Sequence, residues 1–314
     1  MQYCSLGATD LEISRLTFGC WEMGSDASWW GQSDDAGNIR AVHAALYNGI
    51  TTFDTAEGYG GGHSEQVLGE ALKGARSKAV IATKASKANL KSADLRNALE
   101  RSLKNLKTDY VDLYYIHWPN PEIPLEETMG QMMKLKGEGL IRAVGVSNFS
   151  ASLLESALAF GRIEAVQPEY SLLQRDIEKD LIPFCLEHSI SVASYSSIAK
   201  GILTGRFHLG GNRLKSGDFR STRRLFLKEH MEKEAELILL MKKLADEKSA
   251  SVSQIAIAWL LKQKGLATAI IGTQSEKHLL ENVKALDIDL TEEEAKKLSD
   301  VSSNVIASID SQER

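Results

Sequence analysis

Eight short apolar runs, each followed by a turn and then by residues of helical periodicity, constrain this chain more than any other feature. The runs are Leu16–Cys20, Thr51–Asp54, Ala79–Thr83, Val111–His117, Arg142–Ser147, Ala165–Gln167, Ser191–Ser194 and Ala267–Ile271. Short aliphatic and β-branched runs of this kind suit strands buried on both faces. Helices are predicted between them over Asn38–Asn48, Ser64–Lys73, Ser92–Leu106, Leu125–Glu138, Ser150–Ala159, Glu178–His188 and Ser251–Lys264. An eighth, Glu276–Leu286, follows the last strand. Regular strand–helix alternation implies an α/β fold with a parallel sheet, and eight strands are what a closed (β/α)8 barrel of the TIM type needs. A doubly wound sheet usually carries a glycine fingerprint after its first strand, and Gly19-Cys20-Trp21-Glu22-Met23-Gly24 is not one. The length of 314 residues suits one such barrel or two modest domains. The strand–helix alternation favours one, spanning residues 1–314.

Two additions flank the repeat. Gly7-Ala8-Thr9-Asp10 lies between Tyr3-Cys4-Ser5-Leu6 and Leu11-Glu12-Ile13, which predicts an N-terminal β-hairpin within residues 1–15. At the other end Thr291 and Glu294 have capping-box spacing, so a C-terminal extra helix begins there. Two long intervals break the rhythm, and long loops in a compact domain tend to be functional. Trp21–Gly37 holds Trp21, Trp29 and Trp30. Residues 199–227 combine Gly201, Gly205, Gly210, Gly211 and Gly217 with Arg206, Arg213, Lys215, Arg220, Arg223 and Arg224. This second loop is either a solvated basic face or a segment that folds over an anionic ligand.

Composition narrows the function classes. A charged share of 25% and a hydrophobic share of 43% are ordinary for a globular protein, and the formal charge of -5 gives no reason to expect nucleic acid. No apolar run has the length of a membrane helix, and the first residues lack a signal-peptide pattern. Cys4, Cys20 and Cys185 are too few and scattered for a disulfide framework, so a cytoplasmic location is expected. No metal motif such as His-Glu-x-x-His occurs, and no metal is expected.

The candidate chemistry sits at strand ends. The strand at Thr51 runs into Asp54, Tyr59 follows in the adjoining turn, and Ser64 is the expected N-cap of the next helix. Lys84 follows the third run directly, and His117 ends the fourth. Singly, these read as a capping aspartate, a packed tyrosine, a solvent-facing lysine and a satisfied histidine. In one barrel all four meet on the C-terminal rim, where such folds keep their chemistry.

These residues resemble the aldo-keto reductases, single-domain barrel oxidoreductases dependent on nicotinamide cofactors, and the likeness covers nearly the whole chain. The family's Asp-Thr-Ala-x-x-Tyr motif matches Asp54 to Tyr59, and its lysine and histidine match Lys84 and His117. Gly145–Phe149 and Gln167–Ser171 are also typical of it. The resemblance implies hydride transfer between NAD(P)H and a small aldehyde, ketone or sugar carbonyl, reversible with the alcohol. Tyr59 would be the general acid/base. A neighbouring ammonium from Lys84 lowers a phenol's pKa, and Asp54 would hold Lys84 charged. It assigns Ser147, Asn148 and Gln167 to the nicotinamide carboxamide, Tyr195 to stacking under the ring, and Ser196, Gly201, Leu203 and Gly205 to the pyrophosphate loop. Gly272, Thr273, Gln274, His278, Glu281 and Asn282 fall where the family holds adenosine. Strand, glycine and helix N-terminus there also form an anion site on physical grounds. Trp21, Trp29, Trp30 and Trp118 are candidate substrate walls, with Trp118 best placed beside His117.

Many NADPH-using members carry basic residues at or next to Gln274, Ser275 and His278. Neither lysine nor arginine stands at those three positions here, although Lys277 adjoins His278, which predicts dual cofactor specificity leaning to NAD(H). Two rivals accompany the enzyme reading: a cofactor-binding regulatory subunit with little turnover, and an aldolase-type barrel with Lys84 as a Schiff base.

Overall fold

The computed structural model describes residues 1–24, 34–273 and 275–311. The expectations for Trp29, Trp30 and Gln274 fall outside them. The hairpin forms from β1 (Tyr3–Ser5) and β2 (Glu12–Ser14), paired antiparallel with Cys4 opposite Ile13. Eight parallel strands follow: β3 (Leu16–Gly19), β4 (Thr52–Asp54), β5 (Val80–Ala85), β6 (Val111–Ile116), β7 (Ile141–Ser147), β8 (Ala165–Gln167), β9 (Ser191–Ser194) and β10 (Leu266–Gly272). They pair in sequence order, and β10 closes on β3 to complete the barrel.

Around the barrel lie α1 (Asp35–Tyr47), α2 (His63–Ala71), α3 (Ser92–Leu106), α4 (Leu125–Gly137), α5 (Ala151–Leu158) and α6 (Leu181–Glu187). Then come α7 (Lys228–Glu247), α8 (Val252–Leu261), α9 (Glu276–Val283) and α10 (Glu292–Asp310). Outward side chains of the strands and the inward helix faces form one continuous buried cluster. A second, smaller cluster lies inside the barrel, where Leu6, Leu11 and Ile13 of the hairpin meet Ala82, Leu113, Tyr115, Ala143, Ala165 and Ala267. Gly7 N–H donates to Ser191 Oγ at the start of β9, so the hairpin plugs the N-terminal end of the barrel. The C-terminal strand ends lie at the opposite rim.

Two helices differ from expectation. Ser64 does not cap α2: the helix starts at His63 after left-handed Gly62, and the Ser64 hydroxyl donates instead to Cys20 O at 2.7 Å. A glycine with φ 94° already turns the chain, so no side-chain cap is needed and the hydroxyl ties two rim loops together. The 20-residue α7 has no counterpart in the expected series. It is a helix beyond the eight that pair with strands, and it buries Leu237, Ile238, Met241, Leu244 and Ala245. The capping box on α10 forms as expected, with Thr291 and Glu294 bonding reciprocally. No helix among the described residues is long and apolar enough to cross a membrane.

Candidate active site

Adjacent strands bring the first three groups together. Asp54 ends β4, Lys84 sits one residue before the end of β5, and His117 follows β6 directly. Tyr59 arrives by a different device. It opens a 3-10 turn, Tyr59–Gly62, packed against another, Trp21–Gly24. A Cβ on Gly60 would lie 1.6 Å from Gly24 O, so no side chain is tolerated where the two turns touch. That close approach fixes the tyrosine over the rim.

Lys84 is fully buried, and its ammonium makes three contacts. It donates to Asp54 Oδ1 at 2.5 Å, to Thr55 O at 2.8 Å and to Tyr59 Oη at 3.2 Å. The His117 ring lies edge-on to Tyr59, with centroids 5.7 Å apart. Asn148, held at φ 63°, donates through Nδ2 to His117 O at 2.9 Å and accepts from Tyr195 Oη at 2.8 Å. Ser147 Oγ donates to Gln167 O at 2.7 Å, and Gln167 Nε2 donates to Asp54 Oδ2 at the same distance. One hydrogen-bonded network therefore contains Tyr59, Lys84, Asp54, Gln167, Ser147, Asn148 and Tyr195.

Charge states follow from burial and neighbours. Burial pulls the Lys84 pKa down, but the Asp54 charge, Tyr59 and their hydrogen bonds outweigh it, leaving the group above its usual value and cationic. Burial pushes the Tyr59 phenol up, and the Lys84 charge opposes this without cancelling it. The expected downward pull is present, yet the net direction is upward. Burial, with Lys84 adding to it, drops His117 to about 3, so its imidazole is neutral at pH 7.

The remaining expected residues lie along the rim in two groups. Ser196, Ala199 and Lys200 all have positive φ, and this run leads to Gly201 at φ 100°. A side chain at Gly201 would stand 3.6 Å from both the Arg206 and Arg220 guanidiniums. Leu203 is fully buried in the core, so it anchors the loop rather than facing a ligand. Left-handed Gly205 closes the turn. Beyond β10, Thr273 Oγ1 accepts from Ser275 N–H, His278 is exposed and Asn282 is buried. Glu281 meets α8 through its backbone carbonyl, which accepts from Gln254.

The tryptophans divide. Trp21 lies 6.5 Å from the Tyr59 ring and 5.9 Å from Phe219, whereas Trp118 is 49% exposed. Phe219 lies in the basic loop and was not among the expected residues; nothing in local sequence sets it apart. Glu22 was missed too. Its carboxylate stands where a side chain on Gly272 would be, and burial pushes it up to about 7. Among the described residues, no group of three or more His, Cys, Asp or Glu is arranged to hold a metal ion.

The sequence pattern of the Aldo/keto reductase family matches residues 15–303. The chain belongs to the aldo/keto reductase family. It is similar to the aldo-keto reductase YhdN of Bacillus subtilis (strain 168), 33% identical over 98% of this chain and 95% of that one. It is also similar to the NADH-specific methylglyoxal reductase of Escherichia coli (strain K12), 32% identical over 94% of this chain and 96% of the relative. A crystal structure of an aldo-keto reductase from Klebsiella pneumoniae in complex with NADPH superposes with a TM-score of 0.76. There the identity is 30%, over 96% of each chain. As a member of this family, the chain is an NAD(P)H-dependent oxidoreductase of carbonyl and alcohol substrates.

Proposed function

We propose that Tyr59 is the proton donor for carbonyl reduction, with Lys84, Asp54 and His117 completing the catalytic set. The observation that carries this reading is the buried Lys84 ammonium, 3.2 Å from the Tyr59 hydroxyl and 2.5 Å from Asp54. Hydride delivery leaves negative charge on the carbonyl oxygen, and a proton donor must meet it as it develops. A protonated phenol held by an ammonium can both donate and stabilise what it becomes. Neutral His117, edge-on to Tyr59, is the second donor able to orient that oxygen. In the reverse direction Tyr59 must first lose its proton, so alcohol oxidation gains as pH rises.

The residues along the rim fit a dinucleotide. Amide and hydroxyl groups of Ser147, Asn148 and Gln167, with the Tyr195 ring, surround one end. Ser196, Gly201 and Gly205, with Arg206 and Arg220 close to Gly201, suit the diphosphate. Gly272, Thr273, His278, Glu281 and Asn282 line the way to the adenosine end. A reduced nicotinamide bound here supplies the hydride. Trp21 and Phe219 form the apolar wall beside Tyr59, and Trp118 extends the rim.

For the cofactor we propose dual use leaning to NAD(H). Ser275 and exposed His278 are weak partners for a 2'-phosphate, and one charge-assisted contact is worth about 1.5–3 kcal/mol. The NADH-specific relative from Escherichia coli agrees with this lean, and the NADPH complex of the Klebsiella pneumoniae reductase marks the competing preference. The three free thiols suit a reducing compartment, and we assign the cytoplasm. The Schiff-base alternative requires a neutral lysine, whereas the ion pair keeps Lys84 protonated. Turnover of a small aldehyde with each cofactor at matched ionic strength tests the proposal. A preference for NADPH above about a hundredfold, equivalent to about 2.7 kcal/mol, overturns the cofactor lean. Absence of turnover with both cofactors across a panel of carbonyls overturns the assignment of Tyr59.

A further inference from the structure

The contact between Gln167 and Asp54 spans the barrel. In the closed order β10-β3-β4-β5-β6-β7-β8-β9, strands β4 and β8 are four apart and face each other across the interior. Gln167 ends β8 and Asp54 ends β4, both almost wholly buried. Their side chains nevertheless meet at 2.7 Å. A carboxylate only accepts, so the amide must turn its NH₂ towards Asp54. Its Oε1 is then the atom left to receive a donor from anything else at that site. The two Asp54 oxygens are divided: Oδ2 takes the Gln167 amide and Oδ1 takes the Lys84 ammonium. A carboxylate held at both oxygens cannot rotate, and the ammonium that it fixes is the one touching Tyr59.

We propose that Gln167 is a positioning residue for proton transfer: through Asp54 and Lys84 it ties the carboxamide position on one wall to the Tyr59 hydroxyl on the other. This rests on the reading of Tyr59 as proton donor given above. Cofactor recognition and proton donation then share one amide. Its Oε1 can accept from a carboxamide NH₂ while its NH₂ keeps Asp54 in register, and the buried Tyr115 hydroxyl lies within reach of the same amide. A residue that only held the cofactor would act on affinity; this one also acts on the chemical step when cofactor is saturating.

The test is a double-mutant cycle with Gln167→Met, which keeps side-chain length and removes the amide, and Asp54→Asn. Single-turnover hydride transfer is followed by nicotinamide absorbance at saturating NADH. Gln167→Met is expected to slow the step about tenfold to a hundredfold, the range of a hydrogen bond to a charged group. In the Asp54→Asn background it is expected to change the rate less than twofold. An equal loss in both backgrounds, or no loss at saturating cofactor, overturns the inference. A second measurement needs neither cofactor nor Asp54→Asn. The Tyr59 phenolate titration, taken as the spectral difference from Tyr59→Phe, should move upward in Gln167→Met as Lys84 loses its fixed place. An unmoved titration overturns the inference while leaving Tyr59 as proton donor. Failure of the parent to turn over, with a titration that moves, overturns the catalytic reading and not the linkage.

Discussion

Replacing Lys84 with methionine separates the stability of this site from its chemistry. Methionine matches the length of the lysine stem and removes only the charge and its three donated hydrogen bonds. Lys84 has no exposed surface, and the Asp54 side chain is 5% exposed, so water cannot replace the ammonium. Asp54 would retain the Gln167 donor on Oδ2 and lose its counter-charge on Oδ1. Removing one partner of a buried pair destabilises by about 3–5 kcal/mol, because the other charge stays buried. For a chain of 314 residues, at about 2 °C per kcal/mol, the midpoint of thermal unfolding should fall about 6–10 °C.

The same argument predicts a rescue. Neutralising both partners is far less harmful than neutralising one, so Lys84→Met/Asp54→Asn should recover most of the lost midpoint without recovering turnover. The pH dependence has a definite sign. The folded-state pKa of Lys84 lies above its ordinary 10.5. Its contribution is therefore complete below that ordinary value and is lost only as pH rises through the raised one. The gap between parent and variant should be constant across neutral pH and narrow only in strong alkali. Calorimetry of the parent and both variants decides. A fall below about 2 °C for Lys84→Met, or a double variant no better than the single, would refute the buried-pair account.

Two further outcomes follow from the same physics. Tyr59→Phe should lower turnover by about 10²–10⁴-fold, the worth of a general acid, with cofactor affinity changed less than twofold; half the parent's turnover would remove Tyr59 from its role. Glu234, fully buried on α7 with His208 3.4 Å away and His230 nearby, has its pKa raised by burial against the pull of both histidines. Its favourable contribution is thus present below the ordinary carboxylate value of 4.5 and lost as pH rises through the raised one, so Glu234→Gln should gain stability relative to the parent with rising pH, compared at about pH 5 and about pH 8. Urea midpoints at those two values check it, and an unchanged difference refutes it.

The candidate catalytic residues were legible because the barrel makes a three-dimensional fact out of a one-dimensional one. A polar residue at the C-terminal end of a buried parallel strand has to reach the same rim as its counterparts, so Asp54, Lys84 and His117 converge once the strands are recognised. Loop geometry carries no such period. Glu22 and Phe219 reach the rim only because Trp21–Gly24 packs on Tyr59–Gly62 and the basic loop folds back, and both depend on contacts distant in sequence. Helix α7 was missed for a related reason. Its buried positions have helical spacing, but it stands outside the alternation of strand and helix.

Electrostatic balance is less legible still than position. That Lys84 pulls the Tyr59 phenol downward follows from residue type alone. That burial outweighs the pull depends on how the rim loops cover the ring, with Trp21 and His117 both packed near it. A phenol kept protonated at neutral pH is ready to give a proton to a developing alkoxide and must be deprotonated before it can take one from an alcohol. For the role proposed for Tyr59, the walls that cover the ring, as much as the charges beneath it, therefore raise the pH at which alcohol oxidation gains.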